Sequence, residues 1–272
     1  MTVVRANPAF SLRRVGALVR RHWYVLKSSW PRLVELAYWP TIQMLVWGFI
    51  TLFFSTKTTY VAEAFGVLLS AALLWDVLFR GQLGVSLSFF EEMYARNLGN
   101  LFVTPLRPIE MIAALLIMSF IRTLAGVLPA SFLAIVFFNF SVYAMGPVLG
   151  LFFSNLLIFA WSIGLLVSAM VLRYGLGAEN LAWGAIFALL PLSAVYYPVA
   201  ILPGWLQPIA WALPTVHVFE GMRAVLINHT FRPELLGSAF LLNLVYLGVS
   251  IGVFLLAFRA ARQRGLLIQQ GE

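Results

Sequence analysis

Glu91, Glu92, Arg96, Arg107 and Glu110 crowd into one short stretch, "EEMYARNLGNLFVTPLRPIE", whereas residues 123–172 carry no charge. Such groups can do acid–base work, pair with one another, or meet a partner. Catalysis needs a nucleophile beside a base, or a metal cluster. The closest approach is His217 and Glu220 at i, i+3, with no nucleophile next to them. His22, His217 and His229 are too scattered for a ligand set at helical spacing, and there is no cysteine. A phosphate-cradling Walker A loop requires Lys after Gly. The two lysines, Lys27 and Lys57, follow Leu26 and Thr56. The chain is therefore expected not to be an enzyme and to hold no metal or nucleotide of its own.

The other ionic groups sit in apolar surroundings. Asp76 and Arg80 are spaced i, i+4 and can share one helix face. Arg122 lies near the middle of a long apolar run, where an ionised side chain costs at least ~2.5–3.5 kcal/mol on insertion scales. It needs a partner, and Asp76 is the candidate anion. Glu220 and Arg223, at i, i+3, can close on each other.

The elements that position these groups follow from composition. Of 272 residues, 62% are hydrophobic and 10% charged, against about 25% charged in soluble domains. A bilayer is the expected solvent. Six segments are long and apolar enough to span as helices, at about 34–55, 63–88, 109–138, 146–171, 181–201 and 235–258. They are apolar on both parities, which disfavours a membrane β-barrel. Lys and Arg in the flanks set the orientation. Arg5, Arg13, Arg14, Arg20, Arg21, Lys27 and Arg32 precede the first span, and Arg259, Arg262 and Arg264 follow the last. With Arg96, Arg107 and Arg173 they outnumber Lys57, Arg223 and Arg232, placing both termini in the cytoplasm. The formal charge of +8 follows from these flanks rather than from a nucleic-acid surface.

Residues 1–32 have no continuous apolar core for a signal peptide. Leu12, Val15, Leu18, Val19, Trp23 and Leu26 recur at helical spacing, with Arg13, Arg14, Arg20 and Arg21 opposite. This predicts an amphipathic helix on the inner leaflet, its arginines toward lipid phosphates. A spanning domain, 33–272, follows. Within it, 91–107 is expected to be a cytoplasmic segment. Met93, Leu98, Leu101 and Phe102 line one side of a short helix, and "TPLRP" ends it because Thr104 and Arg107 each precede proline. Residues 202–233 are apolar but broken by Pro203, Pro208 and Pro214. They are expected to form a re-entrant hairpin on the outer side, its irregular backbone buried in protein or lining a wet cavity.

The sequence resembles ABC-2-type exporter permeases. The likeness rests on "E…R…TPLRPIE" after the second span and "YYPVAILPGWLQPIAWALPTVHVFEGMRAVL" before the last. It implies an all-α membrane protein of six transmembrane helices, with an interfacial N-terminal helix, a cytoplasmic coupling helix and an outer re-entrant hairpin. It further implies the permease of an ATP-driven exporter in a bacterial cytoplasmic membrane, pairing with a second copy or close homologue. Two separate ATP-binding cassette subunits would carry the ATP and Mg. They would dock through Glu91, Glu92, Arg96, Thr104, Pro105, Leu106 and Arg107. Pro203, Trp205, Pro214, Glu220 and Arg223 would form the outer gate. The charge-poor spans suit an amphipathic drug, a lipid or a lipid-linked glycan. An ion-coupled transporter or channel is the alternative. It would need midplane carboxylates, and Asp76 alone lies away from span ends.

Overall fold

A computed structural model describes residues 10–55 and 65–265. Arg5 and Lys57, counted above, lie outside them, as do the first residues of the second expected span. Ten α-helices and three short 3-10 turns make up the described fold. Helix α1, Leu12–Lys27, is followed by α2, Trp30–Ser55, and α3, Phe65–Tyr94. A six-residue helix α4, Leu98–Val103, leads to α5, Pro108–Phe138, and α6, Pro147–Tyr174. Three shorter helices follow: α7, Leu181–Leu189; α8, Gln207–Trp211; and α9, Pro214–Ile227. Helix α10, Pro233–Gln263, is the last described helix.

Among the described residues, five helices, α2, α3, α5, α6 and α10, are long and apolar enough to cross a membrane. Helix α3 is the hub. It packs on α2, α5 and α6, and α6 in turn carries α10. Helices α2 and α10 leave most of their apolar surface uncovered, whereas α3 is largely buried. Apolar solvent supplies little drive for such packing, so close backbone approach and buried hydrogen bonds must hold the helices. A Cβ on Gly84 would lie 2.9 Å from the Ser119 Cα, so only glycine lets α3 and α5 meet there. Next to it, Ser119 Oγ donates to the Gly81 carbonyl (2.6 Å) and accepts from Trp161 Nε1 (3.1 Å), joining α3, α5 and α6. On the other side of α6, Asn243 Nδ2 donates to the Asn155 carbonyl and to its Oδ1, at 2.9 and 3.0 Å.

Two expectations change. The crossing expected at 181–201 is not one helix. Helix α7 stops at Leu189, and turns run to a 3-10 turn at Val199–Ile201. Pro191 and Pro198 remove backbone donors and bias the residues before them out of the helical region. Nine residues at ~1.5 Å each reach about half of a ~30 Å hydrocarbon core. Helix α3, in contrast, continues to Tyr94 and takes Glu91 and Glu92 into its last turns. The expected helix through 91–102 is therefore two pieces. Arg96, at φ 49°, makes the break before α4. The stop at "TPLRP" is where the sequence puts it: Thr104 is extended, and α5 starts at Pro108.

Candidate functional site: a charge clasp and a capped break

Ionic groups collect at two places, one at each end of the helix bundle. At the end bearing α4, the sequence places pairs of arginines on α1 two turns apart, and carboxylates at the end of α3 and the start of α5. Folding brings them together. Glu110 Oε1 and Oε2 accept from Arg14 Nη2 and Nε, at 2.6 and 2.8 Å. The same carboxylate accepts from the backbone N–H of Ser11 (2.8 Å) and of Arg107 (3.0 Å). It thus ties together the starts of α1 and α5, two sets of otherwise orphaned helix N–H groups. Its charge raises the Arg14 pKa further above the ordinary guanidinium value, through the hydrogen bond between them.

Two turns of α1 further on, Arg21 Nε and Nη2 donate to the two oxygens of Glu92, at 2.9 and 3.0 Å. Asn97 Nδ2 donates to Glu92 as well, at 2.7 Å, spanning the break at Arg96. Glu92 is buried. Glu91 accepts from Arg122 Nη2 at 3.0 Å and from Arg32 Nη1 at 3.3 Å. His22, 1% exposed, lies 3.8 Å from Glu91 and 3.7 Å from Glu92. Four helices, α1, α2, α3 and α5, are thereby fastened by three carboxylates.

This arrangement corrects two readings. Arg122 does find an anion, but it is the half-buried Glu91, not Asp76. Extended side chains meet across the depth that separates their backbones, as snorkelling allows. Asp76 pairs with Arg80 on α3, at 3.5 Å. The α1 arginines do not all face outward to lipid. Arg14 and Arg21 hold protein carboxylates, while Arg13 and Arg20 stay exposed. Glu91 and Glu92 likewise point into the clasp.

What the clasp leaves open is α4 and its flanks. Leu98 is buried and Phe102 packs on Phe258 of α10, with ring centroids 4.4 Å apart. These contacts seat the helix. Arg96, Asn100, Thr104 and Pro105 are exposed, and Val103 is 88% exposed. Leu106 and Arg107 are half-buried. Thr104 Oγ1 donates to the Leu101 carbonyl and caps the helix end.

At the opposite end, the charges serve backbone. The turns after α7 leave amide groups that no helix satisfies. Arg223 donates to the carbonyls of Ala194 (2.8 Å) and Val195 (3.2 Å). Glu220 Oε1 accepts from the Val199 N–H at 2.8 Å and lies 3.0 Å from Arg223 Nη2. Thr215 Oγ1 donates to Ser193 Oγ, at 3.1 Å. Tyr246 of α10 donates to the Ala212 carbonyl at 3.2 Å, thirteen residues beyond the start of α10. Pro214 is buried as the first residue of α9, while Pro203 and Trp205 are exposed. The sequence gives the Glu220–Arg223 pair by spacing. It does not reveal the carbonyls of Ala194 and Val195, which come from a segment that reads as helix. It assigned Arg14 and Arg21 to lipid phosphates and did not join them or His22 to Glu110, Glu92 and Glu91, although the seven-residue spacing of Arg14 and Arg21 along α1 was a usable signal.

A sequence model for the family described as ABC-2 type transporter matches residues 13–227, from α1 through α9. No curated protein matches the chain significantly.

Proposed function

The chain belongs to the ABC-2 type transporter family, and from that premise we propose that it is the membrane permease subunit of an ATP-driven exporter. Two copies, or one copy and a close homologue, form the path. Separate ATP-binding cassette subunits hold ATP and Mg and dock at α4. The cargo is an amphipathic drug, a lipid or a lipid-linked glycan, moved outward across a bacterial cytoplasmic membrane with both termini inside. The interfacial helix α1 lies at the inner leaflet, and residues 202–233 form an outer re-entrant element.

One observation carries the coupling part of this reading: an exposed short helix sits on a base that ion pairs fasten to four others. A push on α4 through Arg96, Val103, Thr104 and Pro105 cannot be absorbed by a floppy loop. Leu98, Asn97 and the Glu92–Arg21 pair pass it to α3 and α1, and Glu110 passes it to α5. Glu91 and Glu92 act as internal struts in this scheme rather than as partner contacts. At the other end Glu220 and Arg223 hold the broken segment closed, in the position of an outer gate. Asp76 is already 3.5 Å from Arg80, which disfavours it as a free coupling carboxylate for an ion-driven transporter.

The test is purification of the tagged permease from its source membranes. The expected result is a co-eluting subunit with ATP hydrolysis, retained with Val103 intact and lost in Val103→Glu. An ATPase that co-elutes equally with both would contradict docking at α4. Proton- or sodium-driven uphill flux by the permease alone would contradict the reading as a whole.

A further inference from the structure

Between the α1–α2 elbow and helices α3, α5 and α7 lies a cavity of about 270 Å³. Arg80 and Arg122 line its interior, 8% and 5% exposed. Three of their N–H donors, Arg80 Nε, Arg80 Nη2 and Arg122 Nε, have no hydrogen-bond acceptor among the described residues. The nearby carboxylates do not supply one. Glu91 is engaged by Arg122 Nη2 and Arg32, and Asp76 pairs with Arg80 Nε at 3.5 Å by charge but without hydrogen-bond geometry, leaving Arg80 Nη2 unmet. Glu35, an exposed residue of α2, also lines the cavity. Buried guanidinium donors left open in this way need oxygen acceptors.

The rest of the wall is apolar and leads sideways. Trp39, Phe79, Leu83, Leu87 and Trp183 border the same space. Trp39, Leu87 and Trp183 are themselves exposed, on faces of α2, α3 and α7. Whole small ligands usually occupy about 300–1,000 Å³. This cavity is therefore sized for a head group, with room for a tail only through the exposed apolar mouth.

We infer that this cavity binds the phosphate head of an amphiphile, its oxygens on Arg80 and Arg122 and its apolar part leaving between Trp39, Leu87 and Trp183. Glu35, at the mouth, opposes a negative head and sets how tightly it is held. This deepens the transport reading by assigning a head-group class to the cargo or a bound lipid, and relies on that reading only for the site's role.

The test uses the full-length permease in detergent micelles, without any partner. Native mass spectrometry would compare retention of phosphatidylglycerol with that of a diacylglycerol of the same acyl chains, with inorganic phosphate as competitor. The expected result is at least tenfold preference for phosphatidylglycerol. Leu87→Trp, which fills the mouth without removing a charge, should abolish the preference. Arg80→Gln should weaken it, and Glu35→Gln should tighten binding severalfold, which a merely structural role would not do. Equal retention of the two lipids, or unchanged preference in Leu87→Trp, overturns the inference. Displacement by phosphate at the lipid's own concentration also overturns it, because the site would then hold a free oxyanion. Lipid binding and ATPase co-purification are read separately, so either can fail while the other stands.

Discussion

The two ends of the bundle use charge in opposite ways. At the α4 end the ionic side chains chiefly bind one another across α1, α2, α3 and α5, and Glu110 adds two helix-start N–H groups to its bond with Arg14. At the far end the chain breaks after Leu189, and Glu220 and Arg223 spend their hydrogen bonds on Val199, Ala194 and Val195. In an apolar solvent every backbone group needs a partner. A charge beside intact helices is free to be a fastener, whereas a charge beside a break becomes a substitute for missing helix hydrogen bonds. The same residue types thus make a mechanical joint in one place and a structural patch in the other.

The comparison breaks most easily at the patch. Arg223→Leu leaves the carbonyls of Ala194 and Val195 without their donor and Glu220 with the Val199 N–H alone. Each buried carbonyl left unsatisfied costs about 1–3 kcal/mol, so the two together cost about 2–6 kcal/mol. A fall of that size in unfolding free energy, measured in mixed micelles, is expected, and a loss below ~1 kcal/mol would show that the break does not depend on it. The clasp should be softer, because its carboxylates are shared. Arg122→Leu leaves Glu91 with Arg32 and His22, and the expected cost is about 1–3 kcal/mol. A double-mutant cycle sharpens this point. Arg122→Leu and Glu91→Gln should couple by at least ~0.5 kcal/mol, whereas Arg122→Leu and Asp76→Asn should add independently.

Glu110→Gln tests whether the clasp holds α1 in place. It removes the charge received by Arg14 and shared with two backbone N–H groups. Amide hydrogen exchange across 12–27 should accelerate at least tenfold, with α6 and α10 unchanged. Val103→Glu stands at the bottom of the stability scale. It alters an exposed site, so stability should stay within about ±0.5 kcal/mol while partner binding is lost.

The long helices were legible because an apolar run of twenty or more residues has few other uses. The stop of α4 and the start of α5 were legible because Thr104 and Arg107 precede prolines, whereas the break at Arg96 before α4 was not. Residues 181–201 were misread for a related reason: hydropathy sums do not register that Pro191 and Pro198 break the helix when distant Arg223 and Glu220 can satisfy the freed backbone. Arg122 was legible as needing an anion, but the choice between Asp76 and Glu91 turns on side-chain reach, which linear depth counting omits. The clasp stayed hidden because it joins residues about a hundred positions apart, such as Arg14 and Glu110.

The most direct test of the coupling claim is a pair of photo-crosslinkers in native membranes, one replacing Val103 on α4 and one replacing Trp205 at the far end. The account predicts that the Val103 probe captures a chain whose peptides contain a Walker A sequence, and that the Trp205 probe does not. Capture of that chain from Trp205, or its absence at Val103 while it co-purifies, would contradict it.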